Sequence, residues 1–366
     1  MNIGDRYYRT IWCDDPTQGV NIIDQTRLPF ELSIARLNSS TDAFNAIRNM
    51  LVRGAPLVGA TAAYGIALAM RDDPSTEKLT QSTQYLNEAR PTAVNLVWAL
   101  QRMQSVMLSV EPEERAARAF EEAANICDED VALCESMGDY GLEIIKKISA
   151  AKSGATVNIL THCNAGWLAT VDWGTALAPI YKAQNAGIDV HVWVDETRPR
   201  NQGAYLSAYE LGKAGVKHTV IVDNAGGHLM QHGLVDVCFV GTDRTTRSGD
   251  VCNKIGTYLK ALAAFDNNVP FYVCAPSPSI DFTIDDGLAD IPIEQRSPRE
   301  VSHILGRSES GEIVAVDILP EGSAARNDAF DVTPAKYITG LVTEKGVVAA
   351  NKEAITAAFS ERMPTA

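Results

Sequence analysis

"ATVNILTHCNAGWLAT", residues 155–170, decides the fold class. An apolar run, "VNIL" (157–160), breaks into a polar cluster, Thr161-His162-Cys163-Asn164, ahead of a stretch that reads as a helix. The same grammar recurs in "VHVWV" (190–194), "HTVIV" (218–222), "VDVCFVG" (235–241) and "VPFYVCA" (269–275), with helical segments between them. Two of those segments close on Asn185-Ala186-Gly187 and Lys213-Ala214-Gly215. Glycine just past a helix end, followed by a short buried strand, is the mark of repeated βα units and a parallel sheet.

Upstream the pattern differs. "RTIWCDD" (9–15), "GVNIIDQ" (19–25) and "FELSIARL" (30–37) alternate apolar and polar residues between turn breaks, as short antiparallel strands do. From "SSTDAFNAIRNML" (39–51) the period becomes helical, with Ser40 or Thr41 as N-cap. Helical patterns follow over 59–70, over 91–108 with Pro91 at the start, and over 112–151. The expected architecture is α/β: a mostly helical N-terminal domain with a small antiparallel sheet (1–125), a connecting helix (126–150), and a Rossmann-like parallel-sheet domain (151–366).

Composition bounds the partners. The 366 residues are 46% hydrophobic and carry a formal charge of −14, so a real core is available and polyanionic nucleic acid or lipid surfaces are repelled. No basic-then-apolar leader pattern opens the chain, and "LVGATAAYGIALAM" (57–70) is too short to span a bilayer. Seven cysteines, an odd number without a C-x-x-C pair, argue against a disulfide framework or structural zinc. A soluble cytoplasmic protein is the expectation, and the same charge would repel a phosphorylated metabolite unless arginines or lysines gather locally.

Ligands of an open parallel sheet bind beyond the carboxyl ends of its strands. The residues there are Thr161 to Asn164; Asp195 to Arg200; Asp223 and Asn224; and Thr242, Asp243 and Arg244. Cys163, at a strand end entering a helix, would have its thiolate favoured by the helix dipole. A buried structural cysteine is the competing reading and on position alone keeps a slight edge. Asp243 is open to two readings, a turn-forming residue or a desolvated carboxyl group able to donate a proton. Among the cations, Arg53 precedes Gly54, where backbone can approach a ligand; Arg90 precedes a proline-started helix; Lys254 stands at a helix head.

Three patterns are declined. "GAPLVGAT" (54–61) has P-loop glycine spacing but Ala60 in the lysine place. His228 and His232 share a helical face without a third metal ligand. No G-x-G-x-x-G follows a strand, which argues against a dinucleotide.

Long ordered stretches do resemble a known family. "VRGAPLVGATAAYG" (52–65), "RPTAVNLVWAL" (90–100), "THCNAGWLAT" (161–170), "DETRPRNQGAYLSAYEL" (195–211), "VGTDRTTRSGDVCNKIGTY" (240–258) and "IPIEQRSPREV" (291–301) are similar to the methylthioribose-1-phosphate isomerase family, across nearly the whole chain. The resemblance implies a homodimer that needs no metal or nucleotide cofactor and acts on a sugar phosphate. It implies a catalytic pair, Cys163 and Asp243, and substrate contacts at Arg53, Gly54, Ala55, Arg90, Gln202, Asn253 and Lys254; of these, only Gln202, Ala55 and Asn253 were not already marked by the strand-end and basic-group reading. The wider superfamily also holds isomerases of 5-deoxyribose 1-phosphate and ribose 1,5-bisphosphate, and regulatory subunits of a translation initiation exchange factor that bind without catalysis. One departure stands out: Asp328 in "NDAFDVTP" (327–334) replaces the family's usual proline, in a turn away from the pair.

Overall fold

The structure, a computed structural model, describes residues 1–90 and 93–362. A minimal hairpin, β1 (Asn2–Ile3) and β2 (Arg6–Tyr7), precedes a three-stranded antiparallel sheet of β3 (Ile11–Asp15), β4 (Gly19–Ile23) and β5 (Ile34–Leu37). Alternation places Ile11, Val20, Ile22 and Leu37 in the core. Helix α1 (Ser40–Arg48) is capped one residue earlier than expected: the Ser39 hydroxyl accepts from the Asp42 N–H at 3.1 Å.

Helix α2 (Ala55–Asp72) is buried almost all round. Its small residues allow this; a Cβ on Gly65 would sit 3.0 Å from both Ala43 and Leu86. Helix α3 (Thr76–Asn87) was not foreseen, because its polar sequence buries only Leu79, Ser82 and Leu86. Helix α4 (Val94–Leu108) follows; Pro91, read above as its start, lies outside the described residues. Helix α5 runs unbroken for 40 residues (Pro112–Ala151). Its first half packs Phe120, Ala123, Ile126 and Cys127 into the core around α2, and its second half packs Cys134, Met137 and Ile145 against the large sheet.

The large sheet is built from β6 (Val157–Thr161), β7 (Val190–Asp195), β8 (Lys217–Ile221), β9 (Val237–Val240), β12 (Phe271–Cys274), β17 (Gly340–Thr343) and β18 (Gly346–Val348). Its order is β18-β17-β12-β9-β6-β7-β8, parallel except for the β17–β18 pair. Helices α6 (Ala178–Asn185), α7 (Ala208–Lys213), α8 (Ala225–Gln231) and α9 (Thr257–Asp266) fall between strands. Gly187 and Gly215, at φ +76° and +71°, end α6 and α7 as the "NAG" and "KAG" signals predict.

A second sheet, ordered β13-β10-β11-β16, is made from β10 (Arg244–Thr246), β11 (Val251–Lys254), β13 (Ile280–Asp281) and β16 (Phe330–Thr333). A separate hairpin pairs β14 (His303–Arg307) with β15 (Ile313–Asp317). In the large sheet the chain moves outward from β6 through β7 to β8, then returns to lay β9 on the other side of β6. The crevice between β6 and β9 is therefore the topological switch point, where parallel sheets bind ligands.

Candidate active site

Cys163 follows β6 and Asp243 follows β9, so the switch point brings two residues far apart in sequence to one crevice. Both line a cavity together with Arg53, Gly54, Ala55, Asn164 and Asn253. An adjoining cavity, also walled by Ala55 and Asp243, holds Arg90, Arg244 and Phe330. Gln202 reaches the group from another side: the Cys163 thiol donates to its Oε1 at 2.9 Å. Lys254 is buried beside them, its Nζ donating to the Ala329 carbonyl at 2.9 Å and lying 4.5 Å from the Phe330 ring centre, while Arg90 stands 5.9 Å from the same ring. All nine residues expected at the site thus gather around the carboxyl ends of β6 and β9, in two adjoining cavities and their walls.

Two local expectations are corrected, and a third gains a structural cause. Cys163 does not enter a helix: only a single 3₁₀ turn, Trp167–Ala169, follows, and α6 starts at Ala178. The helix-dipole argument therefore fails, and side-chain cations take its place. Lys254 ends strand β11 rather than heading a helix, since α9 begins at Thr257 after Gly256. At Gly54, φ is +98°, and a Cβ would lie 2.3 Å from the Ala169 carbonyl oxygen. Its bare backbone is thus required by the Ala169 main chain, while the N-terminus of α2 still opens on the cavity through Gly54, Ala55 and Pro56.

The cysteine loop is held in an uncommon conformation. Cys163, Thr197 and Asn201 have φ of +65°, +61° and +53°, in the left-handed region that costs a non-glycine residue on the order of 1–3 kcal/mol. Hydrogen bonds keep them there. The Cys163 N–H donates to Thr197 Oγ1 (2.8 Å) and its carbonyl accepts from Ser207 Oγ (2.8 Å). Asp223 takes the N–H groups of Thr197 and Arg198, at 2.7 and 2.8 Å. Strain over-determined by its surroundings in this way fixes where the sulfur points.

Charge in the crevice is unbalanced towards the positive. Burial pushes the Cys163 thiol up, opposed by Arg53 and then Lys254. Burial pushes the Arg53 guanidinium down, opposed by Cys163, Asp243 and Glu210, and acts in the same direction on Lys254. Among the described residues the Arg90 Nε is buried without a partner, and its Nη2 lies 3.4 Å from Glu294. Buried cations with incomplete anionic company are suited to receiving an anion.

His162, next to the cysteine, is occupied elsewhere. Its Nδ1 faces Asp195 Oδ2 at 2.8 Å and its Nε2 faces the Ile255 carbonyl at 2.8 Å. His162, Asp195 and Asp223 have metal-ligand spacing. A cation already sits there, however: Lys260 Nζ is 3.2 Å from Asp195 Oδ2 and also donates to the Asp223 carbonyl. With both imidazole nitrogens and the Asp195 Oδ2 engaged, the cluster reads as a structural ion network. His228 and His232, declined above, lie with ring centres 4.3 Å apart and tilted by 50°, and His232 Nδ1 is bonded to the His228 carbonyl.

Sequence reasoning placed Asn164 at the strand end without its role and missed Glu210 altogether. Asn164 accepts from Arg53 Nη1 through its Oδ1 and from Nη2 through its carbonyl at 2.7 Å. Glu210, on α7, takes four donors from the cysteine loop and its surroundings. Asn164 was visible as the neighbour of Cys163; nothing in "AYELG" (208–212) distinguished Glu210 from a surface carboxylate.

A switch-point crevice holding a thiol, a carboxyl group and several cations defines a Rossmann-like protein that handles a small anionic ligand. Residues 51–350 match the Initiation factor 2 subunit family, and the chain belongs to it. It is 61% identical to the methylthioribose-1-phosphate isomerase of Methylocella silvestris, covering 99% of this chain and 100% of that one. The crystal structure of 5-methylthioribose 1-phosphate isomerase from Pyrococcus horikoshii superposes with a TM-score of 0.83 at 38% identity, covering 98% of this chain and 97% of the other. That of the translation initiation factor eIF-2B delta subunit from A. fulgidus gives a TM-score of 0.78 at 37% identity, covering 97% and 100%. Within the family, the chain groups with the methylthioribose-1-phosphate isomerases.

Proposed function

We propose that this chain is an aldose–ketose isomerase converting 5-methylthioribose 1-phosphate into 5-methylthioribulose 1-phosphate, a step of methionine salvage. Identity of 61% along the full length to a relative of that name carries the reading. Phosphate on the anomeric oxygen prevents the sugar ring from opening spontaneously to an aldehyde. Asp243 is assigned as the general acid that protonates the ring oxygen. Hydrogen then moves from C2 to C1. Cys163 acts there either as thiolate base through an enediol or as stabiliser of a hydride shift. Arg53, Arg90 and Lys254, with the backbone of Gly54 and Ala55 at the start of α2, are assigned to the phosphate, and Gln202 and Asn253 to the sugar. The crowding of cations at the crevice supports that division, as does the Arg90 Nε, which has no partner among the described residues.

Purified protein is expected to turn over methylthioribose 1-phosphate, and Cys163→Ser and Asp243→Asn are each expected to lower kcat by about 100-fold or more. Near-wild-type turnover in both variants would overturn the assignment. Faster turnover of 5-deoxyribose 1-phosphate or ribose 1,5-bisphosphate would move the protein to a sister activity. The likeness to an initiation-factor subunit raises a second reading, a binding protein without catalysis. It would be favoured by absence of turnover on all three sugars.

No described helix is long and apolar enough to cross a membrane, in keeping with the cytoplasmic location we assign. The two-part division at the long helix α5, with residues 1–125 and 151–366 as domains and 126–150 between them, is part of the same reading. So is a homodimer. Strand β8 is the outer strand of the large sheet and leaves Val220 exposed, with Val222 just beyond it. Light scattering at micromolar protein giving the mass of one chain would refute the dimer.

A further inference from the structure

Glu210 is fully buried on α7, yet among the described residues no cation bonds to it; neutral donors surround it instead. Its Oε1 accepts from Asn164 Nδ2 at 2.8 Å and from the Leu168 N–H at 3.0 Å. Its Oε2 accepts from the Trp167 N–H at 2.9 Å and from the Tyr181 hydroxyl at 2.8 Å. Every bond but that of Tyr181 comes from the loop that carries Cys163. The loop is shaped around the carboxylate: a Cβ on Gly166 would lie 1.9 Å from Oε2.

The bond to Asn164 leads to the reacting groups. With its amide nitrogen anchored on Glu210, Asn164 turns its side-chain oxygen and its carbonyl to the two Nη atoms of Arg53. Its backbone N–H, like the Arg53 charge, acts on the Cys163 thiol against the effect of burial. Ser207, one turn before Glu210, accepts from the same Asn164 amide at 3.2 Å and donates to the Cys163 carbonyl.

We propose that Glu210 is a positioning residue for the isomerisation: through Asn164 it aims the Arg53 guanidinium and an N–H group at the Cys163 sulfur and the substrate beside it. The proposal rests on the isomerase reading for its substrate, but the geometry it names can be tested on the thiol alone. Four acceptor contacts distinguish a carboxylate here from an amide. Glutamine could keep one oxygen as acceptor but would turn an NH2 group towards two other donors.

The test is the rate at which iodoacetamide labels Cys163 at fixed pH, read by peptide mass spectrometry in wild type and Glu210→Gln. Loss of the aimed cation and N–H leaves less thiolate, and labelling is expected to slow by about tenfold, one pKa unit. Loosened packing alone has the opposite sign, because it would speed labelling of Cys163 and of the buried Cys127 and Cys274. Cys163 labelled at or above the wild-type rate would overturn the proposal.

Should Glu210→Gln fail to fold, Asn164→Ala breaks the same link while leaving three donors on Glu210, and the same slowing is expected. Turnover of methylthioribose 1-phosphate is measured in parallel, and kcat should fall with the labelling rate. An inactive wild type would count against the isomerase reading, whereas the labelling comparison would still decide the role of Glu210.

Discussion

Replacing Arg53 by methionine keeps much of the side chain's bulk and removes its charge. Arg53 is only 6% exposed and lines the cavity shared by Cys163 and Asp243. A hydrogen bond to a charged group contributes about 1.5–3 kcal/mol net, so losing the guanidinium from a bound phosphate lowers kcat/KM by roughly 10- to 150-fold. Stability should change far less. Burial opposes the Arg53 charge, so removing it relieves a desolvation cost. Against that, Asn164 loses the donors to its Oδ1 and carbonyl. Because Asn164 also borders the cavity, water can replace them. The expected signature is a large loss of activity with the melting temperature moved by only a few degrees. Arg53→Lys retains charge without the two-pronged grip on Asn164 and should fall between wild type and Arg53→Met. The assay is steady-state turnover followed by NMR, with inhibition by inorganic phosphate as an independent measure of anion affinity. Turnover and phosphate inhibition both within threefold of wild type in Arg53→Met would refute the reasoning.

Burial raises the Cys163 thiol above its ordinary value, so a thiolate base makes kcat climb with pH from 7 to 9; a flat kcat over that range rules the base role out and leaves the hydride-shift stabiliser. Burial also pushes the Asp130 carboxyl up to about 7, so the native state holds this proton more tightly than the unfolded chain between about pH 4 and 7, and the group's contribution to stability falls as pH rises through that window. Asp130→Asn keeps an acceptor for the Val171 N–H (2.7 Å) and loses the penalty, so its melting temperature relative to wild type should be higher at pH 8 than at pH 5; parallel pH curves would contradict this. A Cβ at Gly141 would lie 2.3 Å from Pro179 Cγ across the α5–α6 contact, so Gly141→Ala should cost about 1–3 kcal/mol in urea unfolding, and an unchanged midpoint would contradict that packing.

The fold was legible where one residue type serves one local purpose. Gly187 and Gly215 end their helices in the left-handed region, and the apolar runs before Thr161 and Thr242 form strands buried along nearly their whole length, while the run before Asp223 forms the edge strand β8 with Val220 exposed. Pro112 and Ala151 bound α5 as the pattern predicts, because proline suits a first turn and the periodicity is long. Failure came where tertiary contact overrides the local pattern. The stretch after Cys163 looked helical, but Glu210 draws the N–H groups of Trp167 and Leu168 to itself and the chain makes only a 3₁₀ turn. Helix α3 shows too little apolar periodicity to be recognised alone. The candidate site followed from strand ends and the family resemblance. Its support did not, because Asn164, Ser207 and Glu210 acquire their meaning from partners more than 40 residues away.

Helix α5 has a thermodynamic consequence. One continuous rod contributes Phe120 and Ile126 to one core and Met137 and Ile145 to the other. Melting either core exposes half of an amphipathic helix whose remaining half is still docked, which penalises the half-melted state. The two cores are therefore coupled like two weights on one beam, and denaturant should remove activity and helical signal at the same midpoint, as a single transition.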